Sequence, residues 1–250
     1  MGTRVAYVSG GGTGIGKAIA AALADEGAHV ALFGRRERVL AATAEELSAK
    51  YPEAEVVWQA ADLTDPAQVE AAVAGAVGQL GESVDVLVNN AGGSAPGTPA
   101  ALAGIAEEWR QIYDRNVLTA VLLTNAVLPR LRRPGGRIVT ISSIAGLRGP
   151  GSYGAAKAAL HAWSHGLATS LGAEGVTANV VAPGFVPDTE FWTDRLSDEL
   201  YRSKVAETLV GRAGTPADVA GAVRWLAGPD SGFVTGQIVQ VNGGVLLGRG

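Results

Sequence analysis

The stretch Ser9-Gly10-Gly11-Gly12-Thr13-Gly14-Ile15-Gly16 decides how this chain is read. It follows the apolar run Val5–Ser9 and precedes an Ala/Ile/Leu pattern of helical spacing that reaches Glu26. Strand, glycine cluster and helix in that order are what a dinucleotide-phosphate loop requires. Glycines let the backbone turn sharply and approach a pyrophosphate, and the helix start offers unpaired N–H groups carrying partial positive charge. A glycine cluster without those neighbours reads as a plain turn; the strand before it and the helix after it argue against that reading here.

Outward from this loop, strand-like and helix-like segments alternate. Strands are expected at Val5–Ser9, His29–Phe33, Glu55–Ala60, Val84–Val88, Arg137–Ser142, Val176–Val181 and Gln237–Val241. Between them lie helical patterns at Glu37–Lys50, Pro66–Leu80, near Glu107–Arg132, about Ser152–Leu171, near Leu196–Leu209 and at Pro216–Leu226, with an irregular stretch from Pro183 to about Arg195. Asp65-Pro66 reads as a helix start with proline at its first position. The strands are continuously apolar rather than alternating, so both of their faces are expected to be buried, as in a parallel sheet. The expectation is an α/β fold: a doubly wound (Rossmann) mostly parallel seven-stranded sheet with helices on both faces and right-handed crossovers. No linker or repeat divides the chain, so residues 1–250 are read as a single domain.

Composition narrows the function classes. The 250 residues include no cysteine, which removes Cys-ligated zinc, iron–sulfur clusters, thiol nucleophiles and disulfides. Net charge is −4, from 20 basic and 24 acidic residues, and the basic ones are scattered. The nearest basic run, Arg130, Arg132, Arg133 and Arg137, surrounds Pro134-Gly135-Gly136 and reads as a solvated helix end and turn, not as a nucleic-acid face. No segment approaches the roughly 20 apolar residues of a membrane span, and because Met1–Arg4 leads straight into an apolar strand no signal peptide is expected. A soluble cytoplasmic protein with no nucleic-acid or membrane partner is expected. His161 and His165 lie four apart on one helix but have no third ligand nearby, so they are assigned to packing or to a subunit surface, and no metal is expected.

Further along, Asp62-Leu63 follows the third strand, Asn89-Asn90-Ala91-Gly92 the fourth, and Asn116, Ser143, Tyr153-x3-Lys157 and Pro183-Gly184 come after them in order. With the spacing Gly10-x3-Gly14-x-Gly16, this series resembles the short-chain dehydrogenase/reductase family over nearly the whole chain. It is similar to the 3-oxoacyl-carrier-protein reductases and related ketoreductases of that family. The resemblance implies that Gly10, Thr13, Gly14, Ile15 and Gly16 hold the cofactor's phosphates and that Asp62 and Leu63 flank its adenine. Asn89, Ala91 and Gly92 would line its path, and Pro183, Gly184, Val186 and Thr189 would wrap the nicotinamide carboxamide. The hydroxyl at Thr189 stands one place later than the family's pattern. The resemblance also implies a homotetramer and a substrate lid at about residues 187–210.

The end of the second strand bears on which nicotinamide is used. An acidic side chain there favours NAD, because it accepts hydrogen bonds from the adenosine ribose and repels a phosphate on it. Here Gly34 occupies that position and Arg35-Arg36 follow, which favours NADP(H), with NAD(H) still possible. The alternative is that both arginines merely solvate a helix start.

Tyr153 and Lys157 share one face of a helix. A tyrosine hydroxyl can supply the proton that an alkoxide needs after hydride transfer, and a nearby ammonium favours the phenolate form. The resemblance implies that Lys157 also binds the nicotinamide ribose; Ser143 would donate to the substrate oxygen as charge develops, and Asn116 would hold a water connecting Lys157 to solvent. In similar proteins the serine precedes the tyrosine by about 12–13 positions. Ser143 precedes Tyr153 by ten and Ser142 by eleven, so the connection is shortened and either serine remains a candidate, Ser143 being preferred. In the lid, Phe191, Trp192, Leu196 and Tyr201 suit an apolar pocket or simply pack the lid onto the core. The expected function is an NADP(H)-preferring ketoreductase acting on a small carbonyl or alcohol. The alternatives are an NAD-dependent dehydrogenase of a sugar, polyol or other alcohol, and a cofactor-binding regulator without turnover.

Overall fold

Every side chain of the first strand, β1 (Val5–Ser9), is buried, yet Val5 and Tyr7 enter one core while Ala6 and Val8 enter another. The two-residue period of a strand, with apolar groups at both phases, forces a helical layer on each face of the sheet. The computed structural model describes residues 3–94, 100–193 and 195–248, so residue 194 of the expected lid lies outside it. The remaining strands are β2 (His29–Gly34), β3 (Val56–Ala60), β4 (Val86–Asn89), β5 (Arg137–Ile141), β6 (Thr177–Pro183) and β7 (Ile238–Val241). They form one seven-stranded sheet in the order β3-β2-β1-β4-β5-β6-β7. Every ladder is parallel. The fold is the single-domain, doubly wound one expected, with boundaries shifted by one or two residues at most strands.

One core packs α1 (Gly14–Asp25), α2 (Glu37–Lys50) and α9 (Pro216–Ala227) on the sheet through Ile19, Leu23, Leu40, Leu47, Val223 and Leu226. The other packs α3 (Pro66–Leu80), α5 (Thr119–Val127) and α7 (Gly151–Leu171) through Val69, Val73, Leu123, Val127 and Leu171. Asp65 caps α3 as its sequence predicts, accepting hydrogen bonds from the N–H groups of Ala67 and Gln68.

One expectation is corrected by this layering. The step from β6 to β7 runs in the same direction across the sheet as β4 to β5 to β6, but its helix α9 lies on the α1 face. Its crossover therefore has the opposite hand to the others. The reason lies in the irregular segment after Pro183, which passes over the ends of the strands before the chain descends on the far side.

The helix expected near Glu107–Arg132 is also different. α4 (Leu102–Tyr113) starts earlier and runs through a wide π turn, Asp114–Leu118, into α5. Such turns often accompany functional sites, and this one carries Asn116. The connection from β5 to α7 contains a helix that the sequence did not suggest, α6 (Ala145–Arg148), and α8 (Asp198–Ala206) is shorter than expected. The basic run is not simply solvated. Arg130 pairs with Glu82, Arg132 with Asp85 and Arg133 with Glu174, while Arg137 is buried and donates to the carbonyls of Gly228, Gly135 and Gly136.

Candidate active site

Strand order reverses between β1 and β4, and the loops that leave these two strands diverge to opposite faces. Ligands of such sheets bind outside the strand ends at this point. A cleft of about 870 Å³ opens there. Its glycine wall is tight. A Cβ on Gly16 would lie 2.1 Å from the Gly10 carbonyl oxygen, and one on Gly10, whose φ is +62°, would lie 2.8 Å from Asn90 Nδ2. Ser9 and Asn90 lace the two diverging loops together. Ser9 Oγ accepts from the N–H groups of Asn90 and Ala91 at 2.9 and 3.0 Å, and Asn90 Nδ2 donates to the carbonyls of Ser9 and Gly10 at 3.0 and 3.2 Å. α1 begins with no side-chain cap and no acidic residue in its first turn, leaving its positive end free for an anion.

Of the residues singled out in the sequence, Gly10, Thr13, Gly14, Ile15, Gly16, Arg35, Arg36, Asp62, Leu63, Ala91, Gly92, Ser143, Tyr153, Lys157, Pro183, Gly184, Val186 and Thr189 all line this cleft. Asn89 and Asn116 stand behind it. Asn89 is buried and donates to Thr124 Oγ1 at 2.8 Å; its neighbour Asn90 holds the position on the wall. Asn116 is fully buried, donating to the carbonyls of Gly93 and Ile112 at 2.7 and 2.9 Å and accepting from Gly93 N–H at 3.1 Å. It anchors the loop after β4 to the π turn. Gly92 is squeezed between this amide and Lys157, since a Cβ there would lie 2.6 Å from Asn116 Oδ1 and 3.2 Å from Lys157 Nζ.

Tyr153 and Lys157 rise from the first turns of α7, with Lys157 Nζ 5.8 Å from the Tyr153 ring centroid. Lys157 is buried and donates to the Ile141 carbonyl at 3.0 Å. Burial pushes its ammonium down to about 8. Burial also pushes the Tyr153 hydroxyl up to about 12, while the neighbouring Ser143 hydroxyl pulls it the other way. At neutral pH Tyr153 therefore keeps its proton and can act as a donor. Asp62 is held below the usual carboxylate range by hydrogen bonds from Thr64, with the charge of Arg35 adding to the effect.

The two candidate serines have different surroundings. Ser142 is buried, and its Oγ donates to the Lys157 carbonyl at 3.0 Å and lies 2.7 Å from His161 Nε2. Both serines line the cleft, but Ser143 Oγ accepts from Ala145 N–H at 3.1 Å and is hydrogen-bonded to the Tyr153 hydroxyl. The shortened connection works because small residues let α6 press on α7. A Cβ on Gly146 would meet the Lys157 carbonyl carbon at 2.8 Å, and one on Gly154 the Gly149 oxygen at 2.4 Å. Ser143→Ala should therefore cost about 10²–10³-fold in turnover with little loss of stability. Ser142→Ala should lower stability by about 1–3 kcal/mol, because it strands His161, while turnover is largely kept. Steady-state rates and thermal melts of the two variants check this, and the opposite pattern would make Ser142 the donor.

The segment after β6 folds over the glycine loop. The Thr189 methyl carbon would lie 3.3 Å from a Cβ on Gly14. Arg36 holds Glu190 through two hydrogen bonds of 2.9 and 2.8 Å. The Phe191 ring lies 5.5 Å from that of Tyr153. Tyr201 instead packs on Phe185 at 5.6 Å between ring centroids, while Trp192 bridges Phe185 and Phe191 at 5.1 and 5.3 Å and also lines the cleft. The lid aromatics thus divide between the two roles the sequence left open. Asn90 and Glu190 were not singled out from the sequence. Asn90 stood inside the quoted motif, whereas nothing in the local sequence links Glu190 to Arg36.

Comparison with known proteins accords with this geometry. A family model described as Enoyl-(Acyl carrier protein) reductase matches residues 10–246. The 3-oxoacyl-[acyl-carrier-protein] reductase FabG of Escherichia coli is 36% identical over 248 residues, 98% of each chain. Among solved structures, an actinorhodin polyketide ketoreductase variant with NADPH superposes with a TM-score of 0.86 at 33% identity. A Serratia marcescens short-chain dehydrogenase/reductase variant gives 0.87 at 34%, and each comparison covers 97% of both chains. With a family model spanning residues 10–246 and relatives more than 30% identical over nearly the whole of both chains, the chain belongs to the short-chain dehydrogenase/reductase family, the NAD(P)-dependent oxidoreductases of C=O and CH–OH groups.

Proposed function

We propose that the protein is an NADP(H)-preferring ketoreductase in which Tyr153 is the general acid/base. The observation that carries this reading is the convergence of Ser143, Tyr153 and Lys157 on one wall of the cleft, with Arg35 and Arg36 at its other end. The cradle fits a dinucleotide: Gly10 and Gly16 let the loop turn tightly where a Cβ would strike the Gly10 oxygen or Asn90, and α1 presents an uncapped start to the cleft. When bound, the nicotinamide supplies or accepts the hydride.

The chain's own groups do the rest. Ser143 donates to the carbonyl oxygen, and Tyr153 delivers a proton to it as negative charge develops. The Lys157 ammonium lies near the Tyr153 ring and favours the phenolate that remains once the proton has left. Asn116 holds the Gly92–Gly93 loop against Lys157. Phe191, beside Tyr153, gives the substrate side an apolar wall and excludes water. The names of the relatives support a carbonyl substrate, and the NADPH in the ketoreductase structure supports the phosphorylated cofactor.

A homotetramer and a cytoplasmic location belong to the same reading. Exposed Trp225 and Phe233 supply apolar surface for subunit contact. No helix among the described residues is long and apolar enough to cross a membrane.

The test is NADPH and NADH oxidation, followed by nicotinamide absorbance, against β-ketoacyl thioesters, cyclic and aromatic ketones and keto-sugars. Turnover of any member that requires Tyr153 supports the reductase; cofactor binding without turnover of any class argues for the regulator. Arg35→Asp should shift the NADPH:NADH ratio of kcat/KM toward NADH by about 10–100-fold, since a charge-assisted contact to phosphate is lost and a repulsion gained. An unchanged ratio would leave Arg35 as a solvated helix-start residue.

A further inference from the structure

The Arg36–Glu190 pair joins two parts of the cleft that the proposed chemistry treats separately. Arg36 stands just past β2, at the start of α2, where the adenosine ribose is expected. Glu190 belongs to the strap that crosses the glycine loop. Its predecessor Thr189 covers Gly14, and its successor Phe191 packs on Tyr153. Both guanidinium N–H groups that would grip a phosphate instead grip the two oxygens of this carboxylate, at 2.9 and 2.8 Å. A fork of two parallel N–H donors binds carboxylate and phosphate in the same way. Arg35, by contrast, makes no ion pair among the described residues.

We propose that Glu190 is a determinant of cofactor choice: its carboxylate competes with the 2′-phosphate of NADP(H) for Arg36. The proposal rests on the reading that the arginines receive that phosphate. The pair is exposed on both sides, 57% and 56%, so it is held weakly and exchanges readily. A phosphate carrying more charge displaces the carboxylate, and the freed Glu190 is then repelled by the phosphate beside it. A dinucleotide without the phosphate leaves the pair intact. Glu190 therefore taxes only the phosphorylated cofactor, and it ties occupation of the ribose end to the strap residue that packs on Tyr153.

The experiment is a double-mutant cycle on the full chain, with dissociation constants for NADPH and NADH read by nicotinamide fluorescence. The proteins are the wild type, E190Q, R36Q and the double variant. Both side chains are exposed, so neither substitution opens the core. E190Q should tighten NADPH by about three- to tenfold, the size of a surface ion pair together with a like-charge repulsion. NADH should stay within about twofold, and the effect of E190Q should shrink in the R36Q background to the part that repulsion alone supplies. Equal changes for both cofactors, no change, or an undiminished effect without Arg36 would each overturn the proposal. The two readings fail differently. A wild type that binds NADH as tightly as NADPH removes the cofactor reading, and the competition with it. A wild type that prefers NADPH but is indifferent to E190Q removes the competition alone.

Discussion

Replacing Tyr153 by Phe should lower the rate of carbonyl reduction by about 10³-fold while leaving the cofactor's dissociation constant within about twofold. The ring of Phe keeps the packing on Phe191 and the surface beneath Lys157, whose centroid distances are 5.5 and 5.8 Å in the wild type. Only the proton donor is lost, so the deficit should appear in kcat. The direction of the proton's journey gives the reaction its pH dependence. Burial holds the Tyr153 hydroxyl up at about 12, so the acid form persists through neutral pH and the reductive rate should be flat there. Oxidation of an alcohol needs the phenolate and should rise as pH rises. Lys157, pushed down to about 8, loses its charge earlier and with it the support it lends the phenolate. A Tyr153→Phe variant that keeps its reductive kcat would transfer the acid role elsewhere.

Gly16→Ala should weaken dinucleotide binding by about 100-fold, equivalent to a loss of roughly 2.7 kcal/mol. The added Cβ would sit 2.1 Å from the Gly10 oxygen, 2.5 Å from Asn90 Nδ2 and 2.8 Å from the Gly10 carbonyl carbon. Two of these three atoms are backbone, so the loop itself must move and a rotamer change cannot relieve the clash. Displacing it also pulls on the Asn90 hydrogen bonds that join the loops after β1 and β4. Overpacking of this kind costs about 1–3 kcal/mol of stability as well. The control is Gly78→Ala inside α3, where a Cβ meets nothing within 4 Å. That change should raise stability by up to about 1 kcal/mol, since alanine is the better helix former. Fluorescence titration and thermal melts separate the two variants. Equal behaviour would mean that the glycine loop is not the tight cradle its geometry describes.

Much of the site could be read directly because its parts are local. The glycine loop joins one strand to one helix, and Tyr153 and Lys157 need only helical spacing to share a face. Both kinds of information sit within a few residues of chain. The seven strands were legible for a related reason: burial on two faces makes each an unbroken apolar run. The errors fell where local pattern and tertiary demand part company. An amide at position 89 and one at position 90 look alike in sequence, yet strand alternation sends Asn89 into the core against Thr124 and leaves Asn90 on the wall. Asn116 was placed in an ordinary helix, whereas the π turn there lets its amide reach Gly93.

The sequence by itself determined the sheet, the glycine loop and the Tyr153–Lys157 pair, because periodicity and glycine placement act over short range. Tertiary structure alone set the serines apart, by joining Ser142 to α7 through the Lys157 carbonyl and His161 and placing Ser143 beside the Tyr153 hydroxyl. It also decided the hand of the last crossover and the partner of Arg36. Glu190 is 154 positions from that arginine, and only the passage of the strap over the strand ends brings the two charges together.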